Sequence, residues 1–227
     1  MKNRLIGRFF GNHMKETFFN LGEAKRRRIV DATLEEFSLS GYEKTSLDAI
    51  VRRAGISKGG LYEYIDSKED LFQYALEYSY EAMFAGIGER RGPEELSPDP
   101  VERTRQIASV AVDFYLERPE IIPFLVKASA VEYGEIKRRV QGAFDAYFAR
   151  LYRGCDFSSM RFDGERVTQL LKWLLAKTRN DFAANVVATK RPGLCKSAYL
   201  EEWEFFFSVL AGGLYRARPE GPRREKE

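Results

Sequence analysis

The sequence predicts an all-α fold, with an N-terminal three-helix unit joined by a connecting helix to a larger helical body. Three observations lead there. Apolar residues recur at helical spacing in almost every segment, and no stretch alternates as a half-buried strand would. Glycine and proline punctuate the chain between those segments, as at Gly41, Gly55, Gly88–Pro100 and Pro192-Gly193. The stretch Thr45–Ile65 reads as two short helices joined by a tight turn: Leu47, Ile50, Val51 and Ala54 make one apolar face, and Gly55 follows where a left-handed residue costs little.

Composition sets the outer bounds. The chain has 227 residues, of which 44% are hydrophobic, enough for a sizeable core in one or two domains. A net charge of +3 is by itself a weak argument for nucleic acid. The longest apolar runs, such as Phe205-Phe206-Phe207, are far short of the ~20 residues that span a bilayer. Lys2, Arg4 and Arg8 flank no continuous apolar segment, so neither a membrane span nor a signal peptide is expected. The two cysteines, Cys155 and Cys195, lack metal spacing and read as reduced thiols of a cytoplasmic protein.

Taken in order, residues 1–22 form a basic, aromatic extension. It reads as a flexible tail with local packing of Phe18, Phe19 and Leu21. An arm reaching into a DNA minor groove, or an alternative start at Met14, are the other readings. Lys25-Arg26-Arg27-Arg28 is a dense basic cluster that either meets phosphates or is a solvated helix start. A first helix runs from Glu23 to Ser40 with Ile29, Ala32, Thr33 and Phe37 on one face, and Gly41 ends it. Thr45 and Asp48 look like a capping box for the second helix, and Ser57 like the cap of the third. The third helix turns Lys58, Gly59, Gly60, Tyr62 and Tyr64 outward while Leu61 and Ile65 bury. A first turn with a cation, small residues and aromatics suits the DNA major groove. Ser67 and Asp70 open a fourth helix reaching about Ile87.

The segments Thr45-Ser46-Leu47, Ala54-Gly55-Ile56-Ser57-Lys58-Gly59, Leu61-Tyr62 and Ser67-Lys68-Glu69-Asp70-Leu71 resemble the N-terminal DNA-binding domain of TetR/AcrR-type transcriptional regulators, from about Lys25 to Tyr78. The family has His-Phe where this chain has Tyr64-Ile65. The resemblance implies a DNA-binding domain over residues 23–83 and a helical regulatory and dimerisation domain over 84–227. The expected DNA contacts are Thr45, Ser46, Ser57, Lys58, Gly59, Gly60, Tyr62, Tyr64 and Lys68, with Thr45, Tyr62, Tyr64 and Lys68 on phosphates. It further implies a double-stranded operator, a small-molecule effector and a homodimer.

In the body, helices are expected over Val101–Glu117, from Pro119, from Gly134 to Arg153, over Gly164–Thr189 and over Ser197–Ala217. The middle helices are rich in aromatics. Phe114, Tyr115, Phe124, Phe144, Tyr147 and Phe148, with Tyr133, line either the effector pocket that the resemblance implies, apolar in character, or a filled core. On the last two helices Leu170, Trp173, Leu174, Trp203, Phe206, Phe207, Leu210 and Leu214 form either a dimer face, as the resemblance implies, or internal packing. The single histidine, His13, has no catalytic companion, and no phosphate loop or metal spacing occurs, so neither enzyme, cofactor nor metal is expected.

Overall fold

The computed structural model describes residues 13–90, 96–132 and 134–216. Among the described residues ten helices follow one another: α1 (Glu16–Phe19), α2 (Glu23–Lys44), α3 (Leu47–Ala54), α4 (Lys58–Tyr62), α5 (Lys68–Arg90), α6 (Pro100–Glu117), α7 (Ile121–Ser129), α8 (Gly134–Leu151), α9 (Gly164–Thr189) and α10 (Pro192–Leu214). Among the described residues there is no strand, only one isolated bridge between Met160 and Tyr215. Helices α2, α3 and α4 form the head, α5 leaves it, and α6 to α10 form the body.

Local chemistry places the boundaries. Ser46, not Thr45, caps α3, its hydroxyl accepting from the Ala49 amide at 3.2 Å. Gly55 closes that helix at φ 67°, and the Ile56 amide then reaches the Val51 carbonyl at 3.0 Å. Ser67 accepts from the Asp70 amide at 3.1 Å and donates to its carboxylate at 2.7 Å, which fixes the start of α5. Asp99 and Asp163 cap α6 and α9 with carboxylates that accept from the amides of Val101 and Glu102, and of Arg166. Gly41 has φ 74° inside α2, so the helix kinks there rather than ending, and Tyr42 folds back to stack on Phe37.

Two expectations shift by a few residues. Pro192 opens α10 instead of only breaking the chain before it, because proline has no amide to lose at a first turn. Pro119 lies in the turn ahead of α7, which begins at Ile121. The basic tip of the N-terminal extension, residues 1–12, and the suggested minor-groove arm fall outside the described residues; in His13–Leu21 the expected packing of Phe18, Phe19 and Leu21 is present and extends to Met14. Met14 and Phe18 are fully buried, with Phe18 edge-on to Phe19 and Tyr74 at 5.6 and 5.2 Å.

Head and body share one apolar core. Phe37 of α2, Phe72 of α5 and Phe124 of α7 meet at centroid distances of 5.0 to 6.3 Å, with Tyr42 against Phe72. Large aromatics bury 150–250 Å² each, so this cluster fixes the head against the body through packing, not through a linker.

Candidate nucleic-acid interface and effector cavity

The α3–turn–α4 unit presents its short second helix outward. Ser57 caps α4 by accepting from the Gly60 amide at 3.0 Å, and Leu61 anchors the helix in the core. Ser46, Ser57, Lys58, Gly59 and Tyr62 are exposed and Gly60 is half-buried; a Cβ at Gly59 would meet open space. The Lys58 ammonium lies 3.0 Å from Asp48 of α3, an ion pair that holds the cation on this face and raises its pKa. Five residues of helix leave most carbonyls without an internal partner. The N-terminal segment supplies those partners: the Lys15 ammonium donates to the Tyr62 carbonyl at 2.9 Å, the Thr17 hydroxyl to the Glu63 carbonyl, and the Lys15 amide to the Tyr64 carbonyl at 2.8 Å. Lys15 also pairs with Asp66 at 2.7 Å. Sequence reasoning missed this brace, since nothing in the spacing of Lys15 and Thr17 marks a contact nearly fifty residues away.

Three residues expected on phosphates are committed elsewhere. Thr45 is buried and donates to the Gly41 and Glu36 carbonyls at 2.7 and 3.0 Å, which locks the α2–α3 corner. Tyr64 is buried against Phe18, with its hydroxyl taking a bond from the Lys25 ammonium at 3.1 Å. Lys68 sits over the Tyr42 ring at 4.6 Å and donates to the carbonyls of Tyr42, Glu43 and Thr45. Its charge therefore serves the C-terminal end of α2. In the basic cluster, Arg26 donates to the Phe19 carbonyl at 3.1 Å, while Arg27 and Arg28 are exposed.

The aromatics of the body divide. Tyr115, Tyr147 and Phe148 line an interior cavity of about 10 Å³ with Met83, Leu175 and Arg179. Phe124 instead belongs to the head–body cluster, Phe114 packs beside Tyr115, and Phe144 lies half-buried under the Lys172 ammonium. Tyr133 falls outside the described residues. Arg179 was missed, although its position was informative: it falls on the stripe that Leu171, Leu175 and Phe182 bury.

The last two helices also divide. Trp203 is 1% exposed and stacks on Phe207 at 5.0 Å, and Leu174, Phe207, Leu210 and Leu214 are buried with it. These five are core within one chain, where the interface reading had put them on its surface. Helical period explains the split, because they occupy the inward stripe. The outward stripe carries Trp173 at 59% and Phe205 at 64% exposed, joined by Val187, Leu194 and Val209, with Leu170 and Phe206 half-buried at its edge. Gly212 and Gly213 face open space within α10.

No described helix is long and apolar enough to cross a membrane. Among the described residues no group of His, Cys, Asp and Glu could hold a metal ion.

The sequence and fold are similar to known proteins. The model of the bacterial regulatory proteins of the tetR family matches residues 29–75. The uncharacterized HTH-type transcriptional regulator TtgW of Pseudomonas putida is 31% identical over 133 residues, 55% of this chain and 91% of that one. The HTH-type transcriptional repressor KstR of Rhodococcus jostii is 36% identical over 90 residues, 40% of each chain. The chain spans about half the length of several curated relatives it matches, from 37% to 59%. A crystal structure of a TetR family transcriptional regulator from Chloroflexus aurantiacus superposes with a TM-score of 0.65 at 26% identity, covering 90% of this chain and 99% of that one.

Proposed function

The chain belongs to the TetR family of bacterial transcriptional regulators, and we propose that it is a homodimeric, effector-released repressor of a palindromic operator. The observation that carries the reading is α4, a five-residue helix capped at one end by Ser57 and braced at the other by Lys15 and Thr17, with Lys58, Gly59 and Tyr62 facing outward. Preorganised donors on a rigid helix suit major-groove docking. Lys58 is the base or phosphate contact, Ser46, Ser57 and Tyr62 supply hydroxyls, and Gly59 and Gly60 allow close backbone approach. Thr45, Tyr64 and Lys68 hold this unit together rather than touch DNA. With few side chains left for base edges, much of the specificity is read through DNA shape.

Dimerisation uses the outward stripe of α9 and α10, whose exposed Trp173 and Phe205 are the residue types that anchor interfaces. A two-fold dimer sets its recognition helices about 34–36 Å apart, or a multiple of a helical turn. The effector enters among Tyr115, Tyr147 and Phe148. A cavity of about 10 Å³ holds about one water, so a larger guest must displace its walls. One wall, Met83, belongs to α5, the helix that starts beside the recognition unit and carries Phe72 into the junction. A coupling of roughly 1–3 kcal/mol between the two sites suffices for a switch. The protein acts in the cytoplasm on DNA and catalyses no reaction.

The test is selection of bound duplexes from a random library at moderate salt. An enriched palindrome supports the reading. Tight binding without a motif, lost steeply with salt, would replace it with a non-specific architectural role.

A further inference from the structure

Arg179 is 3% exposed, on α9, in the wall of the body cavity. A guanidinium carries five N–H donors and stays charged. Here Nε and one terminal nitrogen share a single acceptor, the side-chain oxygen of Asn180, at 3.2 and 3.1 Å. Among the described residues no carboxylate pairs with it. Asp145 of α8 and Glu81 of α5 are committed elsewhere, to Lys172 and Arg150. The other buried arginine makes the contrast. Arg103 donates to the carbonyls of Leu96, Ser97, Leu151 and Arg153, and so closes the end of α8. Arg179 closes no helix end in this way; besides Asn180 its guanidinium meets only a neutral group, the Tyr80 hydroxyl of α5, among the described residues.

Four tyrosines surround this cation, namely Tyr80, Tyr115, Tyr147 and Tyr199. None supplies the missing negative charge. Burial pushes all four hydroxyls up, Tyr115 to about 12, despite the guanidinium pulling the other way. They remain neutral hydrogen-bonding groups at physiological pH. The Tyr199 hydroxyl is buried without a hydrogen-bond partner of proper geometry. An unpaired charge in an apolar interior is expensive to keep, and an anionic guest offsets that cost. Tyr115, Tyr147, Met83 and Phe148 add the aromatic and apolar lining that a neutral body requires.

We propose that the effector is a small hydrophobic carboxylic acid, its carboxylate held by the Arg179 guanidinium and its apolar part lodged between Tyr115, Tyr147 and Met83. The inference rests on the reading of the chain as an effector-released regulator. It names the class of molecule that reading leaves open.

The test is calorimetric titration of the full-length protein with matched pairs: benzoate and benzyl alcohol, phenylacetate and 2-phenylethanol, octanoate and 1-octanol. At least one acid is expected to bind about 10- to 100-fold more tightly than its alcohol, the range of a charge-assisted bond. Arg179→Met should abolish that preference and raise Tm, because it replaces an unpaired charge by an apolar chain of similar length. Arg179→Lys should keep the preference. Equal affinity for acid and alcohol, an acid preference that survives Arg179→Met, or no acid binding would overturn the proposal. Operator binding measured on the same samples separates the two readings. Specific DNA binding without acid recognition sinks only the effector class. Loss of sequence-specific DNA binding in the untreated protein sinks the regulator.

Discussion

The ammonium of Lys15 donates to the carbonyl of Tyr62 at 2.9 Å, so a residue ahead of the first long helix closes the end of the recognition helix. Thr17 does the same for Glu63. Lys15→Met combined with Thr17→Val should therefore loosen α4 without emptying the core, since Met14 and Phe18 stay in place. Each lost bond is worth about 0.5–1.5 kcal/mol. The double variant should unfold at lower denaturant and bind operator roughly tenfold more weakly, read by fluorescence anisotropy. Wild-type affinity in a folded double variant would show that α4 holds its shape unaided.

Lys58 and Lys68 test the division between contact and support. Lys58 is exposed, paired only with the exposed Asp48, and such pairs add little to stability. Lys58→Ala should leave Tm unchanged and lower the slope of log K against log salt by about one. Lys68 is spent on three carbonyls and the Tyr42 ring. Lys68→Met should cost about 1–3 kcal/mol of stability and leave the salt slope alone. A reduced slope in the Lys68 variant would return that residue to the phosphates.

On the last two helices the prediction separates two tryptophans. Trp173→Glu, alone or with Phe205→Glu, should give a folded monomer by sedimentation that has lost operator affinity, because both side chains are exposed in the single chain. Trp203→Ala should instead destabilise the chain by about 3–5 kcal/mol. A dimer that survives the double glutamate variant would move the interface elsewhere.

These contrasts show where the sequence was legible. Period and punctuation found the head helices and most of the body, because an apolar stripe, a capping serine and a glycine such as Gly55 are local signals. Side-chain direction was harder. Trp203 and Trp173 both sit on apolar helices, and only the packing of α9 and α10 on each other and on α6 decides which one turns inward. Thr45, Tyr64 and Lys68 bear polar groups beside the recognition helix, but Thr45 donates to Gly41, Tyr64 accepts from Lys25 and Lys68 donates to the end of α2. The brace from Lys15 depends on contacts nearly fifty residues apart, which no local pattern encodes, whereas the burial of Arg179 follows from its place on the inward stripe of α9 but its want of a carboxylate partner does not.

Glu77 gives the head a pH dependence of definite sign. It is buried on α5, 3.1 Å from the His13 imidazole, with Gln73 at 3.4 Å. Burial raises its pKa above the ordinary 4.5; His13 and Gln73 oppose the rise and the nearby Glu81 adds to it. Below 4.5 both folded and unfolded chains hold the proton, and the full contribution to stability is present. As pH rises, the unfolded chain releases its proton first. Stability therefore declines until the folded carboxyl ionises too, and His13 limits the decline while it is charged. Glu77→Gln keeps a hydrogen-bonding group for His13 and removes the titration. Denaturant midpoints measured from about pH 4 to 8 should fall in the wild type relative to the variant as pH increases. Parallel profiles would mean that Glu77 ionises with equal ease in both states, and that the tie between His13 and α5 carries no pH sensitivity.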